Sequence, residues 1–183
     1  SSKIIRTTMG EAELMKLFSN SWRYIQFAIA NQFYMIANDF GENYDRIREI
    51  MIDGYDRTKG LPSAGFTAGP CLLKDTMQLS AFHKNNFFLG HAAMLVNEGL
   101  PNYLVSRAND RFDLSQMRVG LLGMTFKANS DDSRSSLSYK LKKMLMITAK
   151  KVITTDPYVK NDKEIKNLKA ALKMGDILIL ATP

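Results

Sequence analysis

Met117-Arg118-Val119-Gly120-Leu121-Leu122-Gly123 is a short apolar run that opens into a polar loop. A run of this length, ended by glycine, reads as a buried strand rather than a helix. Towards the C-terminus the pattern alternates. Residues 133–145 carry helical periodicity, with Ser133 as N-cap. Lys151-Val-Ile-Thr-Thr155 reads as a second strand, ended by Asp156-Pro157. Residues 163–173 read as helix, and 176–181 as a third strand. Strand, helix, strand, helix, strand predicts a parallel sheet in a doubly wound α/β domain. Such domains rarely stop at three strands, and Pro183 directly follows the third. The segment 113–183 is therefore expected to be a partial domain.

The residues before Asp113 read differently. From Gly10 to Phe40, Leu14, Leu17, Phe18, Trp22, Ile25, Ala28, Ile29, Phe33, Ile36 and Ala37 recur at three- and four-residue steps. That is helical periodicity, and its length suggests a helix crossing a domain or dimer interface. Gly41 is the expected C-terminal cap. Shorter helices are expected over 44–51 and 74–81, and a long one over 86–107 that Pro101 should kink or restart. The whole is read as α/β, an all-helical segment 1–112 followed by the partial sheet domain.

Composition narrows the function. The chain has 183 residues, 45% hydrophobic and 23% charged, which is ordinary globular usage. One cysteine and two histidines argue against a zinc site or a disulfide framework. No run is long enough to cross a membrane, and the N-terminus has no apolar signal segment, so a cytoplasmic, membrane-free protein is expected. The net charge of +7 favours anionic partners. The lysines are dispersed, however, and no recognition helix or aromatic platform points to nucleic acid.

Three stretches could carry chemistry. Cys71 lies where the glycine-rich loop Gly65-Phe-Thr-Ala-Gly69-Pro leads into a helix, beside Lys74 and Asp75. A helix N-terminus and a neighbouring cation favour the nucleophilic thiolate. A buried small hydrophobe is the alternative. The loop Gly123 to Arg134 follows a parallel strand, where α/β sheets bind ligands, and holds Lys127, Asp131, Asp132 and Arg134. Its aspartates would compete with an anion unless they pair with its cations. The strand does not carry the dinucleotide fingerprint G-x-G-x-x-G. Lys16 and Asn20, four residues apart on one helix face, can together address a substrate oxygen or form a plain surface pair.

In order and spacing these stretches resemble the UDP-glucose/GDP-mannose dehydrogenase family. Lys16-Leu-Phe-Ser-Asn20 is similar to its K-L-x-x-N helix. Residues 65–75 resemble its glycine loop ending in C-x-x-K-D, and 123–134 its G-x-x-F-K-x-x-x-x-D-x-R signature. Asp156-Pro157 matches the dipeptide ending its next strand. The resemblance implies a central helical dimerisation domain and part of a C-terminal nucleotide-sugar domain. A preceding NAD-binding domain is absent, so the piece alone is expected to be inactive.

It also implies NAD-dependent oxidation of a sugar C6 alcohol to a carboxylate through a cysteine thiohemiacetal and thioester. By that resemblance Cys71 is the nucleophile, with Lys16, Asn20 and Asp75 as catalytic partners. Gly65, Phe66, Thr67, Ala68, Gly69, Phe126, Lys127 and, across a homodimer formed by the long helix, Arg57 would face the nucleotide sugar. Lys74 and Arg134 would lie on the cofactor side. Pro70 departs from the family pattern, removing a backbone donor beside the nucleophile. A non-catalytic assembly module on a degenerate dehydrogenase scaffold is the competing reading.

Overall fold

The computed structural model describes residues 4–66 and 69–182. Four helices come first. Helix α1, Met9–Asp39, starts on a capping box in which Thr8 accepts from the Glu11 amide and the Glu11 carboxylate accepts from the Thr8 amide. It ends in a Schellman turn, as Gly41 predicts. Gly41 (φ 78°) donates to the Asn38 carbonyl and Glu42 to that of Ala37. Helices α2, Tyr44–Ile52, and α3, Pro70–Phe82, follow, then α4, Phe88–Arg111. Helix α4 runs unbroken through Pro101, so the expected restart does not occur. Both α3 and α4 pack along α1.

The face of α1 that packs inward is not the most apolar one. Ser21, Tyr24, Ala28, Ala30, Asn31 and Ala37 are buried. Leu14, Phe18, Trp22, Ile29, Phe33, Ile36 and Phe40 are exposed. At the α-helical rotation per residue these exposed positions fall within roughly 100° of arc. Small residues let α3 and α4 approach closely, and the large ones are left on the outer stripe.

After a 3-10 turn at Leu114–Gln116 come β1 (Arg118–Leu122), α5 (Leu137–Thr148), β2 (Lys151–Thr155), α6 (Leu168–Met174) and β3 (Ile177–Leu180). The sheet is parallel throughout, in the order β2-β1-β3. Buried Val119, Leu121, Met124, Leu141 and Leu145 form its core. Two helices begin later than the sequence predicts. Ser136 rather than Ser133 caps α5, because Ser133 to Ser135 are used in a turn closed by the Ser136 amide bonding to the Ser133 carbonyl. Helix α6 is capped by Asn167, whose side chain accepts from the Ala170 amide; a turn at Asp162 occupies the residues before it.

Candidate active site

Helix α3 begins where the glycine-rich loop ends, and its first turn places Cys71. Gly69 is the N-cap, with φ 82° and ψ 163°. The positive φ suits glycine, and the extended ψ is what a following proline requires. Pro70 occupies the first helical position, where an amide would have no intrahelical acceptor. The departure at Pro70 therefore costs the helix no hydrogen bond. A Cβ on Gly69 would lie 3.1 Å from the Phe126 ring, so the β1–α5 loop closes against the base of the cysteine loop. Gly69→Ala is expected to lower stability by about 1–2 kcal/mol from the left-handed backbone alone, read as a shifted urea midpoint. It should also displace Phe126.

Cys71 is exposed. One helical turn on, Asp75 is fully buried at 0% exposure. Its Oδ2 accepts from Lys16 Nζ at 2.7 Å and from Asn20 Nδ2 at 2.6 Å. The spacing of Lys16 and Asn20 on α1 thus gives two donors to one carboxylate oxygen on α3. The other oxygen, Oδ1, lies 3.7 Å from Lys74 Nζ and has no hydrogen-bond partner among the described residues. Burial alone would push the Asp75 carboxyl up. The hydrogen bonds from Lys16 and Asn20, with the charges of Lys16 and Lys74, outweigh burial and hold it below its ordinary value. Lys16 is held above its own, chiefly by the hydrogen bond to Asp75, with the charge of Cys71 adding to the effect.

The β1–α5 loop approaches the same place. Phe126 lies over Gly69, and the exposed Lys127 Nζ sits 5.7 Å from the centre of the Phe126 ring. Asp132 binds Arg134 through Nε and Nη2, the latter at 2.7 Å. Those hydrogen bonds, first among the causes, hold the Asp132 carboxyl at about 2. Of the loop's two aspartates Asp132 is therefore paired with a cation, and the pairing leaves Arg134 with Nη1 for a ligand. Cys71 is among the charges that raise Arg134.

Gly65 and Phe66 are both anchored. The Gly65 amide donates to Asn31 at 2.8 Å, and Phe66 packs on the sheet core. Thr67 and Ala68 lie outside the described residues. Arg57 lies in the exposed turn over 56–60, and no described hydrogen bond or ion pair draws it toward Cys71.

A cleft opens at the carboxyl ends of the strands, where the sequence placed a ligand-binding loop after the first of them, and its further walls at β2 and β3 were not anticipated. About 500 Å³ is lined there by Thr125, Asn129, Asp156, Tyr158, Lys166 and Thr182. Asp156 organises the backbone around it, accepting the amides of Met124 and Thr125 on one oxygen and those of Tyr158 and Val159 on the other. On the β2 side the signal was Asp156-Pro157, a turn acid after a parallel strand. Among the described residues, no cluster of three metal-binding side chains occurs and no helix is long and apolar enough to cross a membrane.

Comparison with known proteins agrees over both parts of the chain. Residues 10–98 match the central domain of the UDP-glucose/GDP-mannose dehydrogenase family, and residues 120–183 its UDP binding domain. A UDP-N-acetyl-D-mannosamine dehydrogenase of Pyrococcus horikoshii is 30% identical over 98% of this chain and 44% of its own length. The UDP-glucose 6-dehydrogenase AglM of Haloferax volcanii is 29% identical over 84% of this chain and 37% of its own. The solved UDP-D-ManNAc dehydrogenase of Pyrococcus horikoshii superposes with a TM-score of 0.84 at 27% identity, covering 100% of this chain and 44% of that one. A UDP-glucose dehydrogenase from Pyrobaculum islandicum gives 0.80 at 28% identity, over 94% and 43%. The chain spans less than half the length of each of these relatives. With two adjoining domain models matched and the fold shared from end to end, the chain belongs to the UDP-glucose/GDP-mannose dehydrogenase family.

Proposed function

We propose that this chain supplies the catalytic cysteine and the nucleotide-sugar side of an NAD-dependent nucleotide-sugar 6-dehydrogenase. The observation that supports this reading is the buried Asp75 gripping Lys16 and Asn20 one helical turn from the exposed Cys71. A surface thiol on a plain helix needs no buried carboxylate and no donor pair behind it.

NAD, when bound, supplies the hydride acceptor for both oxidations. The work of the chain's own residues is distinct. The Cys71 thiolate adds to the C6 aldehyde carbon as a thiohemiacetal, and loss of the second hydride leaves a thioester. Water then hydrolyses it, releasing the carboxylate and the thiol. Lys16 Nζ, kept protonated by Asp75, faces the negative charge that develops on the C6 oxygen. Asn20 orients that oxygen. Asp75 Oδ1, the buried oxygen without a partner among the described residues, accepts a proton from the attacking water. Phe126, Lys127 and the loop from Gly65 to Gly69 contact the nucleotide sugar. The exposed Lys74 and the free Nη1 of Arg134 fit an anionic diphosphate on the cofactor side.

The test is to supply NAD and a panel of UDP- and GDP-sugars to the chain joined to the family's dinucleotide-binding domain, and to count NADH per sugar consumed. Two NADH per sugar is the expected result; none with any sugar rejects the enzymatic reading. The chain alone is expected to give no NADH.

A second reading, an assembly module, draws on the outer stripe of α1. Leu14, Phe18, Trp22, Ile29, Phe33 and Ile36 are each at least 40% exposed. A stripe of that length is proposed as the homodimer interface. The variant Trp22→Glu/Phe33→Glu should run as monomer in light scattering at concentrations where the parent is a dimer. A parent that stays monomeric at high concentration removes the dimer from both readings.

A further inference from the structure

Between α1, α4 and the glycine-rich loop lies a polar relay that neither Cys71 nor Asp75 uses. Asn31 on α1 and Asn97 on α4 are both 0% exposed. Asn31 Nδ2 donates to Asn97 Oδ1 at 2.9 Å, and Asn97 Nδ2 donates to the Tyr24 carbonyl at 3.0 Å. Asn31 Oδ1 accepts the Gly65 amide at 2.8 Å. Each end fixes the direction of the whole. The Tyr24 carbonyl can only accept, so Asn97 must turn its amide nitrogen to it and its oxygen to Asn31. Asn31 must then give its nitrogen to Asn97 and its oxygen to Gly65, whose amide can only donate. No flipped arrangement satisfies all three bonds.

Pinning two helices together would not require Asn31 to reach the loop. Its oxygen reaches the backbone at Gly65, the start of the segment that ends at the Gly69 cap and Cys71. Phe66, next along, packs on the sheet core, and the Phe126 ring lies close to Gly69. Asn31 thus fixes the backbone where the glycine-rich segment begins.

We infer that Asn31 is a positioning residue for the sugar-facing loop, acting through the Gly65 amide. The inference rests on the proposed function, because the loop is placed at the sugar by that reading. Asn31 touches no reacting atom, so it acts on nucleotide-sugar binding and leaves Cys71 chemistry alone.

Cys71 is the sole cysteine of the chain, so alkylation by iodoacetamide, read by mass, reports on it alone. UDP-glucose and UDP-N-acetylmannosamine are the probes, each titrated for protection of the thiol. In Asn31→Leu the concentration giving half-protection should rise at least about tenfold, the scale of one lost buried hydrogen bond. The alkylation rate without sugar should stay within about twofold. Asn97→Leu keeps the Gly65 bond and should shift protection much less, at a comparable loss in urea midpoint. The double variant Asn31→Leu/Asn97→Leu replaces the polar pair with apolar volume; it keeps the chain folded if either single change does not, and should show the Asn31→Leu defect. Equal protection in parent and Asn31→Leu, or equal shifts in the two single variants, overturns the inference and leaves the function intact. A parent thiol that no nucleotide sugar protects overturns both.

Discussion

Cys71→Ala is expected to stop carboxylate formation while leaving the fold intact. The thiol is exposed, so its loss opens no cavity in the core. Its place in the first turn of α3 is set by Gly69 and Pro70, neither of which depends on sulfur. Without the thiolate the aldehyde has no covalent tether from which to give up a second hydride. Loss of a nucleophile in comparable sites costs on the order of 10⁴-fold or more in turnover. The measurement is NADH per active site in a stopped time course, with semicarbazide to trap free aldehyde. At most one NADH per sugar, with trapped aldehyde and an unchanged urea midpoint, is expected. Turnover near the parent's would make Cys71 a structural thiol and leave the assembly-module reading in possession of the α1 stripe.

Local rules carried far in this chain, and they failed where tertiary packing overrode them. The strand at Met117–Gly123 was legible because glycine and polar residues bound a short apolar run, and β1 forms within it. Gly41 was legible because a left-handed helix stop admits little else. Pro101 misled. A proline costs the helix one amide and crowds the carbonyl four residues back, here that of Asn97. Helix α4 tolerates this where it is packed on α1 and α3. The core face of α1 left little hydrophobic signal. Tyr24, Ala28 and Asn31 share one face at four- and three-residue steps, but small and polar residues score poorly beside Phe18, Trp22 and Phe33.

The site was legible as three motifs and not as a geometry. Lys16 and Asn20 could be placed on one helix face, and Asp75 in the first turn of the helix expected over 74–81. Nothing in the spacing said that all three meet at one oxygen. The Asn31–Asn97 relay left no local signal at all, since its members are 66 residues apart in sequence. The strand-end cleft was legible at the loop after β1, but its other walls come from the ends of β2 and β3, far apart in sequence.

Lys16→Met is the second large expected effect, and it separates catalysis from architecture. Removing one preorganised donor facing a developing oxyanion should lower kcat by about 10²–10³-fold. The same change takes the closest cation from a carboxylate that is 0% exposed. Burial, the largest influence on Asp75, is then opposed only by the Asn20 hydrogen bond and the charge of Lys74, so the carboxyl rises. The sign of the pH effect follows. In the parent the folded value lies below the unfolded one, so Asp75 adds stability above about pH 4 that is lost as pH falls through the folded value. In Lys16→Met the folded value rises towards the unfolded one, and that contribution shrinks. The gap in urea midpoint between parent and variant should therefore be widest near pH 7 and close as the pH drops below about 4. Adding Asp75→Asn to Lys16→Met removes the stranded charge and should recover part of the stability, at the cost of an amide that must find partners in the same buried place. It should recover none of the kcat. A gap independent of pH would mean that Lys16 supports the fold by packing its stem rather than by holding Asp75. A double variant regaining both stability and turnover would mean that the lysine serves the carboxylate and not the substrate oxygen.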